Sequence, residues 1–243
     1  ALGPAGASLS AIQIAMAYAA PWWLPGGNAQ TIWAALRARR FRDAPPVFRR
    51  ERWSTPDGDF VDVDWLVPHK APPADTGPGD GLNFPSAAMP VAGSAKAPLL
   101  VLFHGLEGSS ASHYAQAFAD VASRRGWACA VPHFRGCSGQ INLAPRAYHS
   151  GDFEEIDWLL RRFATIHAAP VLAVGISLGG NALMRWAGEA GAEAARLVAA
   201  LASVCAPLDL AASGQAIGRG FNRQVYTRMF LDSMRPKALQ KLA

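Results

Sequence analysis

Cysteine is scarce in this chain: Cys129, Cys137 and Cys205 are the only three among 243 residues. That odd, scattered set argues against a disulfide framework and for a reducing compartment. No two Cys or His residues have metal-ligand spacing, so neither a metal nor a cofactor is expected. Long apolar runs are also missing. The run at 11–20 is broken by Gln13 and falls short of the roughly 20 residues that cross a bilayer. It lacks the basic leader of a signal peptide as well, so the expected location is cytoplasmic. Glycine and proline, 23 and 18 residues, stay below the level of low-complexity chains. With 51% hydrophobic residues, the chain has ample material for a packed core.

The net charge of +5 is concentrated in Arg37, Arg39, Arg40, Arg42, Arg49, Arg50 and Arg52, with a second group at Arg219, Arg223, Arg228 and Arg235. Acids at Asp57, Asp59, Asp62 and Asp64 follow the first cluster, and no zinc-finger, RNA-recognition or helix-turn-helix signature accompanies it. The expectation is a solvated basic face and no nucleic-acid partner, with weak attraction to an anionic membrane surface between the two.

Three regions are expected: an N-terminal arm at 1–45, an α/β core at 46–212 and the start of a helical cap at 213–243. In the arm, the aromatic Pro/Gly-rich entry at 21–27 leads into a helix at 30–39 packed onto the core. Residues 47–55 and 60–67 flank Pro56-Asp57-Gly58 as a hairpin. Val61, Val63, Trp65 and Val67 alternate with Asp62 and Asp64, the period of a half-buried strand. A Pro-rich excursion spans 68–98.

From residue 98 apolar strands (99–103, 128–132, 171–174, 197–205) alternate with helices (113–124, 152–167, 181–188), predicting a mostly parallel sheet with helices on both faces. In the helix at 152–167, Phe153, Ile156, Leu160 and Phe163 form one apolar stripe. Asp152, Glu154 and Glu155 at its start and Arg161 and Arg162 further on suit its macrodipole.

Gly175-Ile176-Ser177-Leu178-Gly179, followed by Gly180, lies between a strand and a helix. A serine on such a turn projects its hydroxyl from the sheet edge, and small neighbours are needed where a side chain would strike backbone. The turn His104-Gly105-Leu106-Glu107-Gly108 follows another strand. It can present the Leu106 N–H beside that of Leu178 as a two-donor oxyanion hole, with Gly105 giving backbone access and His104 buttressing the loop. The plain alternative is an ordinary Gly-rich turn. Plain roles are also expected for Cys137 as a loop residue, His149 at a helix start and Asp209 as a loop cap. The apolar face Val225, Tyr226, Met229 and Phe230 fits a core or dimer contact as well as a lid helix over an acyl pocket.

Several stretches together resemble the α/β-hydrolase superfamily, specifically its YheT-like esterase branch. They are Trp23-Leu24-Pro25-Gly26-Gly27-Asn28-Ala29-Gln30-Thr31-Ile32, His104-Gly105-Leu106-Glu107-Gly108, Phe134-Arg135-Gly136-Cys137-Ser138-Gly139, Tyr148-His149-Ser150-Gly151-Asp152 and the turn around Ser177 with Asn181. Asn28 stands where the branch often carries His. The resemblance implies an α/β-hydrolase sheet and a Ser, Asp, His triad in that order, with Ser177 as nucleophile. It also implies hydrolysis of acyl or lipid-like carboxylic esters.

All six histidines precede Ser177, so the chain is expected to stop at Ala243 before its last strands, triad acid and histidine. It would then be inactive or nearly so, since loss of the base in serine hydrolases costs on the order of a million-fold. A non-catalytic binding protein of the same fold and an acyltransferase are the alternatives.

Overall fold

In the computed structural model, residues 19–37, 41, 44–68 and 97–242 are described. Most of the Pro-rich excursion, His69, Arg39, Arg40, Arg42 and residues 1–17 lie outside them. Residues up to 38 and those from 39 onward form two separate units. The first contains α1 (Gly26–Arg37), which buries no residue along its length. Trp23 meets Trp33 edge-on at 4.9 Å, and the Arg37 guanidinium lies 5.3 Å from the Trp33 ring centre.

The second unit is built on six strands: β1 (Val47–Ser54), β2 (Phe60–Val67), β3 (Leu99–Phe103), β4 (Ala128–Pro132), β5 (Val171–Ile176) and β6 (Ala200–Val204). Their spatial order is β1-β2-β4-β3-β5-β6. β1 and β2 form the expected antiparallel hairpin, and β2 also pairs antiparallel with β4. β4, β3, β5 and β6 run parallel.

Alternation along β3 sends Leu99, Val101 and Phe103 to one face and Leu100 and Leu102 to the other. α3 (Phe153–Ile166) and α4 (Leu178–Ala190) cover the first face, and α2 (His113–Arg124) covers the second through Ala115, Ala119 and Ala122. The α3 stripe buries Ile156, Leu160 and Phe163 as expected and adds Leu159, while Phe153 is only partly buried. Phe163 packs between Trp53 and Trp65, with ring centres 4.9 and 5.5 Å away.

Two expectations need correcting. β2 is buried on both faces, because Asp62 and Asp64 are as hidden as Val61 and Val63. The carboxylates tolerate this because arginines of β1 sit opposite them in register. Arg52 Nε donates to Asp62 at 2.7 Å and Arg50 Nε to Asp64 at 2.7 Å, each through a second guanidinium nitrogen as well. Part of the supposed solvated basic face is therefore the covering of a buried acidic row.

Glu155 stands in the first turn of α3 as expected. It is buried and accepts from Arg135 Nε, whose guanidinium also meets Asp57 and Asp59. The last expected strand is shorter than 197–205, since its first residue closes α5 (Ala194–Leu197). The last part of the described chain is helical. α6 (Leu210–Ile217) and α7 (Gly220–Asn222) lead through a wide turn at Arg223–Thr227 into α8 (Arg228–Leu242). Asp209 caps α6 by accepting the Ala212 N–H at 2.8 Å.

Replacing Phe163 by Ala should cost about 3–5 kcal/mol in urea unfolding, because it empties the space shared with Trp53 and Trp65. At β6, an outer strand of the described sheet with Leu201 and Val204 exposed, Leu201→Lys should reduce self-association in light scattering.

Candidate active site

The carboxyl ends of the parallel strands place the chemistry-bearing turns on one edge of the sheet. Glu107, Ser177 and Cys205 have positive φ, and among the described residues no other non-glycine residue does. All three follow the ends of β3, β5 and β6. Ser177 has φ 51° and ψ −116°, a costly conformation that persists only where the surroundings over-determine it. Its N–H donates to Val204 O at 2.8 Å and its carbonyl accepts the Asn181 N–H at 3.1 Å. Asn181 Nδ2 in turn donates to Pro207 O at 2.9 Å.

The glycines around Ser177 are required by contact. A Cβ on Gly175 would lie 2.7 Å from the Gly179 carbonyl carbon and 2.7 Å from Gly180 Cα. On Gly179 it would strike the carbonyl oxygens of Phe103 and His104, and on Gly180 it would meet Ser203 Oγ at 2.7 Å. α4 is thereby drawn against the end of β3. The turn after β3 approaches in the same way, since a Cβ on Gly105 would sit 3.3 Å from Ser177 Cβ. Thus Ser177, its glycines, Gly105 and the adjoining Leu106 and Leu178 come together.

The turn is pinned amide by amide. Gly105 N–H donates to Tyr114 Oη at 3.0 Å, Glu107 N–H to Tyr148 Oη at 2.8 Å and Gly108 N–H to Gly105 O at 2.9 Å. Ser109 N–H donates to Ser112 Oγ at 3.0 Å. Among the described residues no protein acceptor meets the Leu106 N–H. Leu178 begins α4, where the first amides lie outside the helix ladder.

His104 is a buttress in geometry. It is fully buried; its Nε2 accepts the Phe134 N–H at 3.0 Å, which leaves the proton on Nδ1 for Gly105 O at 2.8 Å. Burial pushes its pKa down to about 3, so the ring is neutral and committed to tying the β3 turn to the β4 turn. His133 contacts Asp64 at 2.8 Å and Cys137 O at 3.3 Å. His149 accepts the Gly151 N–H just before α3, and His167 contacts Ala97 O. His113 meets Tyr114 edge-on. Among the described residues no imidazole is bonded to Ser177 Oγ.

Burial alone would raise the Asp64 carboxyl, but hydrogen bonds from Arg50, His133 and Ser110 outweigh it and hold that carboxyl well below its ordinary range. The same balance holds Asp59 at about 2, through Asn142 and the amides of Leu143, Phe60 and Ala144. These buried pairs tie the loop at 133–152 to the hairpin turn. Sequence reasoning missed Tyr114, whose place in α2 carries no signal, and it quoted Tyr148 without a role. No group of His, Cys, Asp or Glu among the described residues could hold a metal ion.

The profile described as alpha/beta hydrolase fold matches residues 98–228. The chain belongs to the α/β-hydrolase family. It is 38% identical over 208 residues to the Escherichia coli (strain K12) protein named "Putative esterase YheT", covering 82% of this chain and 54% of that protein. It is 30% identical over 162 residues to "Phospholipase ABHD3" of Mus musculus, covering 66% of this chain and 35% of that protein. The α/β hydrolase therefore spans about half or less of the length of these curated relatives. A solved Pyrococcus furiosus esterase aligns at 13% identity and a TM-score of 0.48, over 82% of this chain and 68% of that one. No described helix is long and apolar enough to cross a membrane.

Gly179→Ala should cost about 2–3 kcal/mol in urea unfolding, because the new methyl meets backbone that cannot rotate away. Acid should act on this protein in two windows. A ring whose folded pKa is depressed from an ordinary 6.5 to about 3 contributes its full stability above pH 6.5. That contribution falls away as pH drops from there toward 3. The depressed carboxylates contribute above their ordinary 3.8 and lose their share only below it. Melting temperature should therefore decline between pH 6.5 and 4, and His104→Gln should flatten this upper window while starting lower at pH 7.

Proposed function

We propose that this chain carries the nucleophile and oxyanion hole of a carboxylic ester hydrolase acting on acyl or lipid-like esters. Ser177 Oγ attacks the ester carbonyl, the alcohol departs, and water releases the acyl group from the serine. The N–H groups of Leu106 and Leu178 stabilise the oxyanion of the tetrahedral intermediates. Gly175, Gly179 and Gly180 permit the bend, and His104 and Gly105 hold the opposing loop. The observation that carries this reading is the strained Ser177 backbone with the Gly105 turn against it. An ester as the reacting bond, and a lipid-like acyl group, are supported by relatives named as an esterase and a phospholipase.

A serine hydroxyl needs a proton acceptor, and the described imidazoles are engaged elsewhere. We therefore expect turnover by these 243 residues on the order of a million-fold below that of a complete triad. Three free thiols favour a reducing, cytoplasmic setting. The regions 1–45, 46–212 and 213–243 serve as arm, core and start of the cap.

A p-nitrophenyl butyrate assay of the wild-type chain and Ser177→Ala tests this. Slow hydrolysis that vanishes in the variant is expected. Fast Ser177-dependent hydrolysis would show that a base is already at hand, and activity indifferent to Ser177→Ala would remove the serine from the mechanism. The plain binding reading, favoured by the lack of an imidazole bonded to Ser177 among the described residues, requires no turnover and no covalent labelling of Ser177 by a fluorophosphonate.

A further inference from the structure

Three of the stretches that carried the resemblance converge on a cluster the reaction above does not use. Glu107 follows Leu106 directly and takes φ 55°. Its backbone N–H donates to Tyr148 Oη at 2.8 Å, and the same hydroxyl donates to Glu107 Oε1 at 2.9 Å. Cys137 Sγ lies 3.9 Å from Oε1. The fourth member comes from far along the chain: Lys237 Nζ, on α8, donates to Glu107 Oε2 at 2.6 Å and lies 3.9 Å from Cys137 Sγ. The Glu107 side chain is 10% exposed and that of Lys237 34%.

This cluster closes the frame around the Leu106 amide. On one side, Tyr114 and His104 hold the N–H and carbonyl of Gly105. On the other, Tyr148 holds the N–H of Glu107, and its ring stacks on Phe134 at 5.3 Å with 12° between planes. Phe134 is itself bonded to His104. Orientation of the Glu107 peptide therefore depends on its carboxylate remaining on Tyr148, and Lys237 neutralises that carboxylate where water is largely excluded. α8 buries no residue. Polar contacts join it to these loops, through Lys237 and through Lys241, whose Nζ donates to Asn142 O at 2.7 Å and to Ala144 O.

We propose that Glu107 is a positioning residue: paired with Lys237, it couples the docking of α8 to the orientation of the Leu106 amide beside Ser177. The catalytic consequence rests on the reading of Leu106 as an oxyanion donor; the mechanical coupling does not. A cap element that closes over an ester would in this way also set the donor that the transition state needs.

Hydrogen exchange read by mass spectrometry, without ester, tests the coupling. In Lys237→Met the amides of Gly105, Glu107 and Gly108 should exchange about tenfold faster, with α3 and β5 unchanged. Lys237→Arg should restore protection, and Lys241→Met should loosen α8 without touching those amides. If Lys237→Met loosens α8 alone, the coupling is wrong. Should that variant also disturb α3 and β5, Glu107→Gln takes its place and must give the same selective loosening, or the proposal falls.

In the hydrolysis assay, Lys237→Met should lower kcat about tenfold at constant KM, and a change in KM alone would overturn the positioning role. A Ser177 that proves unreactive would defeat the esterase reading and leave the exchange result to decide the coupling.

Discussion

Backbone can rest on backbone only where no Cβ intervenes, and the edge of this sheet is organised around that constraint. Gly175, Gly179 and Gly180 let the start of α4 settle against β5 and the carbonyls ending β3. Once that contact forms, Ser177 has no relaxed conformation open to it and the turn after β3 must pass beside it. The strain at Ser177 is thus a product of packing, sustained by sheet and helix together. A serine held in this way is oriented before any ligand arrives, which is what the role proposed for Ser177 requires.

Around that contact, the loops are held by buried charge rather than by regular structure. Arg135 joins Asp57, Asp59 and Glu155, and Asp64 joins Arg50, His133 and Ser110. Buried ionic groups are costly, and removing one partner leaves another stranded. Here they supply direction, since bidentate guanidinium pairs fix both distance and angle. Loops built in this way can be long and irregular yet still hold His104, Tyr148 and the β3 turn in one arrangement.

Much of this architecture was legible in the chain itself. The strands at 60–67, 99–103 and 128–132 and the helix at 113–124 stand where hydrophobic period and turn residues place them. The Ser177 bend followed from glycines whose spacing has a steric reason. Burial of Asp62 and Asp64 was not recognised, because an isolated carboxylate reads as a solvent-facing residue. The signal was available in the hairpin: folding it about its turn sets Arg52 opposite Asp62 and Arg50 opposite Asp64. No such local rule reveals that Lys237 reaches Glu107 or that Arg135 reaches Glu155, since those pairs depend on where whole elements come to rest. The short β6 reflects competition, with a helical turn at Ala194–Leu197 taking residues whose apolar character suits either state.

The two outer strands of the described sheet differ in kind. β1 carries Arg49, Arg50, Glu51 and Arg52 within eight residues, whereas β6 carries no charge within five. Charge deters a further strand from docking, and its lack invites one. Growth of this sheet is accordingly directional: polypeptide from the same or another molecule would add alongside β6, while the hairpin end stays closed to it.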